Sequence, residues 1–240
     1  MKKVLKNSYT KVLQPFRNGS PKTLQSLKPT LTSALFKKYR NDTMVPEKNF
    51  KINLELAYHY LKNVPGDIVE CGVWKGGMSA ALSEVLGNDR KYFLFDSFEG
   101  LPAVKPIDGA NAKKWQENVT GEYYFDNCKA SIDDADETMK KSNCHYQLFK
   151  GWFEDTLPGF HPENGIALLR LDADWYDSTL QCLTYLYPKV VTHGMVLIDD
   201  YYTWDGCSRA IHHYLSERNS TARIRHVGDV CYIIKTDESE

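Results

Sequence analysis

Two acidic pairs in this 240-residue chain combine residue type and spacing in a way that could do chemistry. One is Asp172-x-Asp174, within Leu171-Asp172-Ala173-Asp174-Trp175-Tyr176, and the other is Asp199-Asp200. Each follows a short apolar run, 166–169 or 195–198, bounded by Gly165 or Gly194. Such runs read as buried strands. Carboxylates at the carboxyl ends of two strands in an open α/β sheet face one crevice, where such sheets take their ligands. Asp172, Asp199 and Asp200 cannot all stay ionised there without a cation, because like charges raise one another's pKa. A hard divalent ion resolves the conflict, and Mg²⁺ suits a carboxylate set that leaves room for water and substrate. Either pair alone would more simply be a solvated loop or a helix cap; both at matching strand ends favour a metal site.

A second constellation, Glu70-Cys71-Gly72 followed by Gly76-Gly77, falls between a strand at 67–73 and a helix at 78–86. Glycines there let a ligand approach the backbone, and a helix N-terminus receives an anionic group. Glu70 in the same turn suits a zwitterion, taking its ammonium while backbone N–H groups take its carboxylate. The spacing is not G-x-G-x-x-G, so the dinucleotide fingerprint fails. Asp96 ends a second strand, at 92–95, where an acid grips ribose hydroxyls in related folds. An amino acid joined to a nucleoside fits both positions, and S-adenosylmethionine has that shape.

The elements that must hold these residues alternate in type. Further strands are expected at 146–149, 166–171 and 195–198. A terminal hairpin, 223–227 with 230–234, turns at Gly228-Asp229. Between them fall a lead-in helix through Leu54, Ala57 and Leu61, a helix at 131–141, one capped by Ser178, and one through Ala210 and Tyr214. The pattern implies an α/β fold whose sheet is mostly parallel with an antiparallel edge. A long polar excursion, 103–124, interrupts it, and loops of that length usually carry function.

The net charge of −1 conceals an asymmetry: ten Lys and Arg and no acid precede Asp42, so the remainder carries −11. Residues 1–45 are expected to form a basic arm or lid, with short helical faces at Val4, Tyr9, Val12 and Phe16 and at Leu31, Leu35 and Tyr39. Residues 46–240 then form the main domain. No compact nucleic-acid-binding signature accompanies the arm, so no nucleic-acid partner is expected. Nothing marks secretion or a membrane span, and a reducing cytoplasm is the expected setting for six scattered cysteines. The arm and the excursion are places for a subunit contact, as in a homodimer.

Five ordered blocks resemble the macrocin O-methyltransferase (TylF-like) family. They are Gly66-Asp67-Ile68-Val69-Glu70-Cys71-Gly72-Val73-Trp74-Lys75-Gly76-Gly77, Asp96-Ser97-Phe98-Glu99-Gly100-Leu101-Pro102, Gly151-Trp152-Phe153-Glu154-Asp155-Thr156-Leu157-Pro158, the run from Leu169 through Asp172 and Asp174 to Thr179, and Val196-Leu197-Ile198-Asp199-Asp200-Tyr201. The resemblance implies a Rossmann-like class I methyltransferase, a seven-stranded sheet with helices on both faces. It also implies S-adenosylmethionine and Mg²⁺ as cofactors, and a hydroxyl acceptor on a small molecule or glycan. By family position Asp172, Asp199 and Asp200 would bind the metal, and Asp174 would be the general base or would support the metal. Glu70, Gly72, Gly76, Gly77 and Ser79 would hold the methionine end, Asp96 and Ser97 the ribose, and Gly151 and Trp152 the adenine side. Lys75, Ala173 and Trp175 depart from the usual Arg, Gly and Leu; the last two flank Asp174 and bear on acceptor shape.

Two other readings compete. A D-x-D after an apolar strand also holds metal–diphosphate in nucleotide-sugar glycosyltransferases, which leaves Glu70, the glycine turn and Asp199-Asp200 without roles. A non-catalytic binding module would make the basic arm the working part.

Overall fold

The computed structural model describes residues 27–122 and 124–236. The helical face expected around Val4, Tyr9, Val12 and Phe16 lies outside the described residues. Two helices, α1 (Pro29–Tyr39) and α2 (Glu47–Leu61), lead in. Then follow β1 (Asp67–Cys71), α3 (Gly77–Leu86) and β2 (Lys91–Asp96). The excursion folds as a 3-10 turn at Pro106–Asp108, the helix α4 (Ala110–Glu117) and the single turn α5 (Phe125–Cys128). Beyond it come α6 (Ile132–Lys140), β3 (His145–Lys150), the turn α7 (Phe153–Thr156) and β4 (Ile166–Leu171). The chain closes with α8 (Tyr176–Leu186), β5 (Val190–Ile198), α9 (Asp205–Glu217), β6 (Arg225–Val227) and β7 (Val230–Ile234).

Among the described residues one seven-stranded sheet forms, in the order β3-β2-β1-β4-β5-β7-β6. β1 to β5 pair in parallel, and β7 runs antiparallel to β5 and β6. The chain winds outward from β1 to β3 and restarts at β4 on the other side of β1. That reversal puts a crevice above the carboxyl ends of β1 and β4. Alternation along the strands divides two cores. Ile68, Leu94, Leu168 and Leu197 pack under α1, α2 and α3, while Val69, Phe95, Leu169 and Ile198 pack under α8 and α9. Every residue of β1 and β4 is buried, the charged Asp67, Glu70 and Arg170 included.

Two local expectations are corrected. The face of α1 that packs is Thr32, Leu35 and Tyr39, whereas Leu31 points outward, 41% exposed. Tyr39 is fully buried and its hydroxyl donates to Glu84 of α3, which packs α1 against the body. Ser178 does not cap α8, which starts earlier at Tyr176; the Tyr176 N–H donates instead to Oδ1 of Asp108 at 2.7 Å, from the excursion. All six cysteines are free, and Cys71, Cys182, Cys207 and Cys231 are buried as small hydrophobes. No helix among the described residues is long and apolar enough to cross a membrane.

Candidate active site

A cavity of about 740 Å³ opens above the carboxyl ends of β1, β2, β4 and β5. Of the residues singled out in the sequence, Gly72, Asp96, Ser97, Gly151 and Trp152 line one part of it, and Asp172, Asp174, Asp199 and Asp200 another. Gly72 is where the two parts meet. Its φ is +87°, and a Cβ there would come within 1.7 Å of the Asp172 carbonyl oxygen, so the ends of β1 and β4 touch only because this residue is glycine.

Asp96 fastens the adjoining loop. Oδ2 accepts from the N–H groups of Val73 and Trp74 at 2.7 and 2.9 Å, and Oδ1 accepts from Phe98 at 2.7 Å. Burial raises its pKa, and those three N–H bonds counter the rise. Ser97 donates to the Gly100 carbonyl at 2.8 Å, closing the turn into the excursion.

Glu70, Ser79, Gly76 and Gly77 are not among the residues that line the cavity. The loop before α2 covers the start of α3, where the Gly77 N–H donates to the Asp42 carbonyl at 2.8 Å. Gly76 faces Ala135 of α6. Glu70, 1% exposed, has both oxygens engaged: one by the Ser79 hydroxyl, the other by Arg170 at 2.5 Å. Burial pushes its pKa up to about 7, against the pull of Arg170 and Ser79.

Arg170 is the functional residue that motif reading missed. It is completely buried one strand over from Glu70, with which it is in register. Nη1 also meets Asp172 Oδ2 at 2.9 Å, and Nε donates to Asn53 of α2 at 3.4 Å. Nη2 lies 3.2 Å from Asp199 Oδ1, near enough for an ion pair but angled away from a hydrogen bond. Asn53 also donates to that Asp199 oxygen at 3.3 Å. A lone charge inside the run of β4 was the available signal, since a cation buried on both faces of a sheet requires carboxylate partners.

Asp172, Asp174 and Asp200 each present an oxygen within 4.8 Å of the others. The group includes Asp174 rather than Asp199, whose Oδ1 faces Arg170 and Asn53. Asp174 has a φ of +57°, and the N–H of Trp175 reaches back to the carbonyl of Ala173 at 2.6 Å, a γ-turn of the rare strained kind. Its own N–H donates to Asp200 Oδ2 at 3.2 Å, and its Oδ1 accepts from the indole N–H of Trp204 at 2.9 Å. Strain of this kind at a non-glycine residue concentrates at functional sites. Burial first, then the neighbouring acids, push the Asp174 and Asp200 carboxyls well above the ordinary range. Asp199 rises to about 6, again by burial, with Arg170 opposing. Three converging hard oxygen donors, with excess negative charge and no guanidinium on Asp174 or Asp200, fit a divalent ion such as Mg²⁺.

The excursion covers this end of the cavity. Trp115 of α4, Trp175 and Trp204 meet edge to face, with ring centroids 5.2 to 6.1 Å apart. Asn127 and Gln116 tie the excursion to the loop at 100–104. Tyr201 lies outside the cavity and bonds His212, while His213 pairs with Tyr176 and Glu217.

A family model described as macrocin O-methyltransferase (TylF) matches residues 41–235. Demethyldecarbamoylnovobiocin O-methyltransferase of Streptomyces niveus is 36% identical over 163 residues, 63% of this chain and 59% of that protein. A tetracenomycin-C rhamnosyl 4'-O-methyltransferase of Streptomyces olivaceus is 35% identical over 158 residues, 63% and 58% of the two. The chain thus spans under two thirds of the length of these curated relatives. Among solved structures, the O-methyltransferase NovP superposes with a TM-score of 0.68 at 27% identity, covering 86% of this chain and 95% of that one. The calicheamicin methyltransferase CalS11 shares the fold, with a TM-score of 0.62 at 20% identity over 92% of this chain and 100% of its own.

Proposed function

The chain belongs to the TylF macrocin O-methyltransferase family, and on that premise we propose that it moves a methyl group from S-adenosylmethionine to a sugar hydroxyl, with a divalent ion at the acid cluster. The observation that carries this reading is Asp174, held in a strained turn beside Asp172 and Asp200, in the same cavity as Asp96 and Gly151. The Streptomyces olivaceus relative is named for methylation of a rhamnosyl group, which supports a sugar acceptor. The glycosyltransferase reading of Asp172-x-Asp174 has no such support and is set aside.

The donor lies along Gly72, Asp96-Ser97 and Gly151-Trp152, where glycine admits close approach and a buried carboxylate meets hydroxyls. Asp172, Asp199 and Asp200 would hold the ion. When bound, the donor supplies an electrophilic methyl and the ion supplies positive charge beside the acceptor hydroxyl. Asp174 takes the proton that the acceptor oxygen loses as it bonds to the methyl carbon and the carbon–sulfur bond breaks. A positioned base of this kind contributes ~10²–10⁴-fold. Trp115, Trp175 and the excursion exclude water and align the acceptor for in-line attack.

The test is mass spectrometry of pooled glycosides incubated with the protein, labelled donor and Mg²⁺. A gain of one labelled methyl on a hydroxyl, abolished by EDTA, is expected. Label gained equally in EDTA would sink the metal assignment, and no label on any hydroxyl would sink the reaction.

A further inference from the structure

One hydrogen bond on Asp174 comes from outside the acid cluster, and its donor cannot exchange roles. The indole N–H of Trp204 meets Oδ1 at 2.9 Å. An indole donates and never accepts, so it takes no proton from the carboxylate and gives none. Trp204 is fixed on three sides. Its backbone N–H donates to the Asp200 carbonyl at 3.0 Å, which ties the residue to the end of β5. Its ring is gripped edge to face by Trp175, 5.2 Å away at 70°, and by Trp115, 5.9 Å away at 64°. Trp175 is itself anchored by its indole N–H to the Pro102 carbonyl at 3.0 Å.

We infer that Trp204 is the positioning residue of Asp174: its indole N–H fixes Oδ1, leaving Oδ2 as the oxygen that receives the acceptor proton. The inference rests on the reading of Asp174 as the proton acceptor. It explains why a strained backbone turn is insufficient alone: the turn places the Asp174 backbone, but its side chain still rotates. The N–H of Asp174 is spent on Asp200, so Trp204 supplies the contact that selects one carboxylate orientation. The aromatic cluster lets the excursion hold the indole in place while it covers the acceptor.

Trp204→Phe keeps a six-membered aromatic ring between Trp115 and Trp175 and removes the N–H together with the five-membered ring. With methyl α-L-rhamnopyranoside as probe acceptor, labelled S-adenosylmethionine and Mg²⁺, kcat is expected to fall roughly 10- to 30-fold, with KM for the donor within about twofold. In an Asp174→Asn background the same change is expected to cost less than about twofold, because its route through Asp174 is already cut. A loss as large in that background as in the parent would overturn the inference, as would an unchanged kcat in Trp204→Phe. Full kcat in Asp174→Asn alone would instead bring down the base assignment and the inference with it.

A measurement that needs no turnover runs beside the kinetics: the indole ¹⁵N–¹H resonance of Trp204. It is expected to shift in Asp174→Asn, and a resonance that does not move would contradict the hydrogen bond. Should Trp204→Phe lose donor binding by calorimetry, benzothienylalanine at 204 preserves the bicyclic shape without the N–H and replaces it in both assays.

Discussion

Two sets of acids sit at the ends of the same strands, and the structure treats them differently. Glu70 and Asp199 face Arg170, which lies fully buried between them and also reaches Asp172. Asp174 and Asp200 face the cavity, where among the described residues the hydrogen bonds on their side chains come from an indole and a backbone N–H. The first set shares one guanidinium within the fold; the second has no guanidinium on it. The same residue type therefore serves structure or chemistry according to whether a guanidinium reaches it. Asp172 belongs to both sets, which ties the shape of the cavity to the integrity of the sheet.

Removing the guanidinium breaks this contrast most severely. Arg170→Leu leaves Glu70 and Asp199 buried without a counter-ion, a loss of about 3–5 kcal/mol of stability. Urea unfolding checks it, and a variant as stable as the parent would show that the acids carry no buried charge.

The pH dependence sharpens the contrast. Glu70 rises to about 7 and Asp199 to about 6, both by burial, and burial also raises Asp174 and Asp200. A carboxyl raised in the folded state keeps its proton there while the unfolded chain has lost it. Stability is therefore greatest at the acid end of the window, near the ordinary carboxylate range, and falls as pH rises through about 7. Without divalent ions the Tm is expected to drop on the order of 5 °C between pH 5 and pH 8. Mg²⁺ flattens that slope in the parent but not in Asp200→Asn. Scanning calorimetry at the two pH values decides it, and equal slopes with and without Mg²⁺ would count against an ion at the cluster.

The smallest expected effect concerns the interior pair. Ser79→Ala removes one hydrogen bond to Glu70 and costs about 1–2 kcal/mol. Donor affinity, read by calorimetric titration, is expected to stay the same, because Ser79 does not reach the cavity. A large loss of donor affinity would return Glu70 and Ser79 to the binding site.

Much of this was legible in the residues. Apolar runs bounded by glycine marked the strands, Gly228-Asp229 marked the hairpin, and acids at strand ends marked the crevice. What was not legible has one physical cause. A strand's alternation says which face Glu70 occupies, but not that Arg170, in register one strand away, claims it. In the same way, the cap of α8 comes from Asp108, far away in sequence, so the local Ser178 was a false signal. The strained turn at Asp174 had no local signature, since Asp adopts a positive φ more readily than most residues but nothing in its type says at which position.

The most direct test of the account is the rate of labelled methyl transfer to a sugar hydroxyl by Asp174→Asn, measured beside donor affinity in the same preparation. The account predicts a fall of ~10²–10⁴-fold in rate with donor affinity retained. Transfer at the parental rate would contradict it.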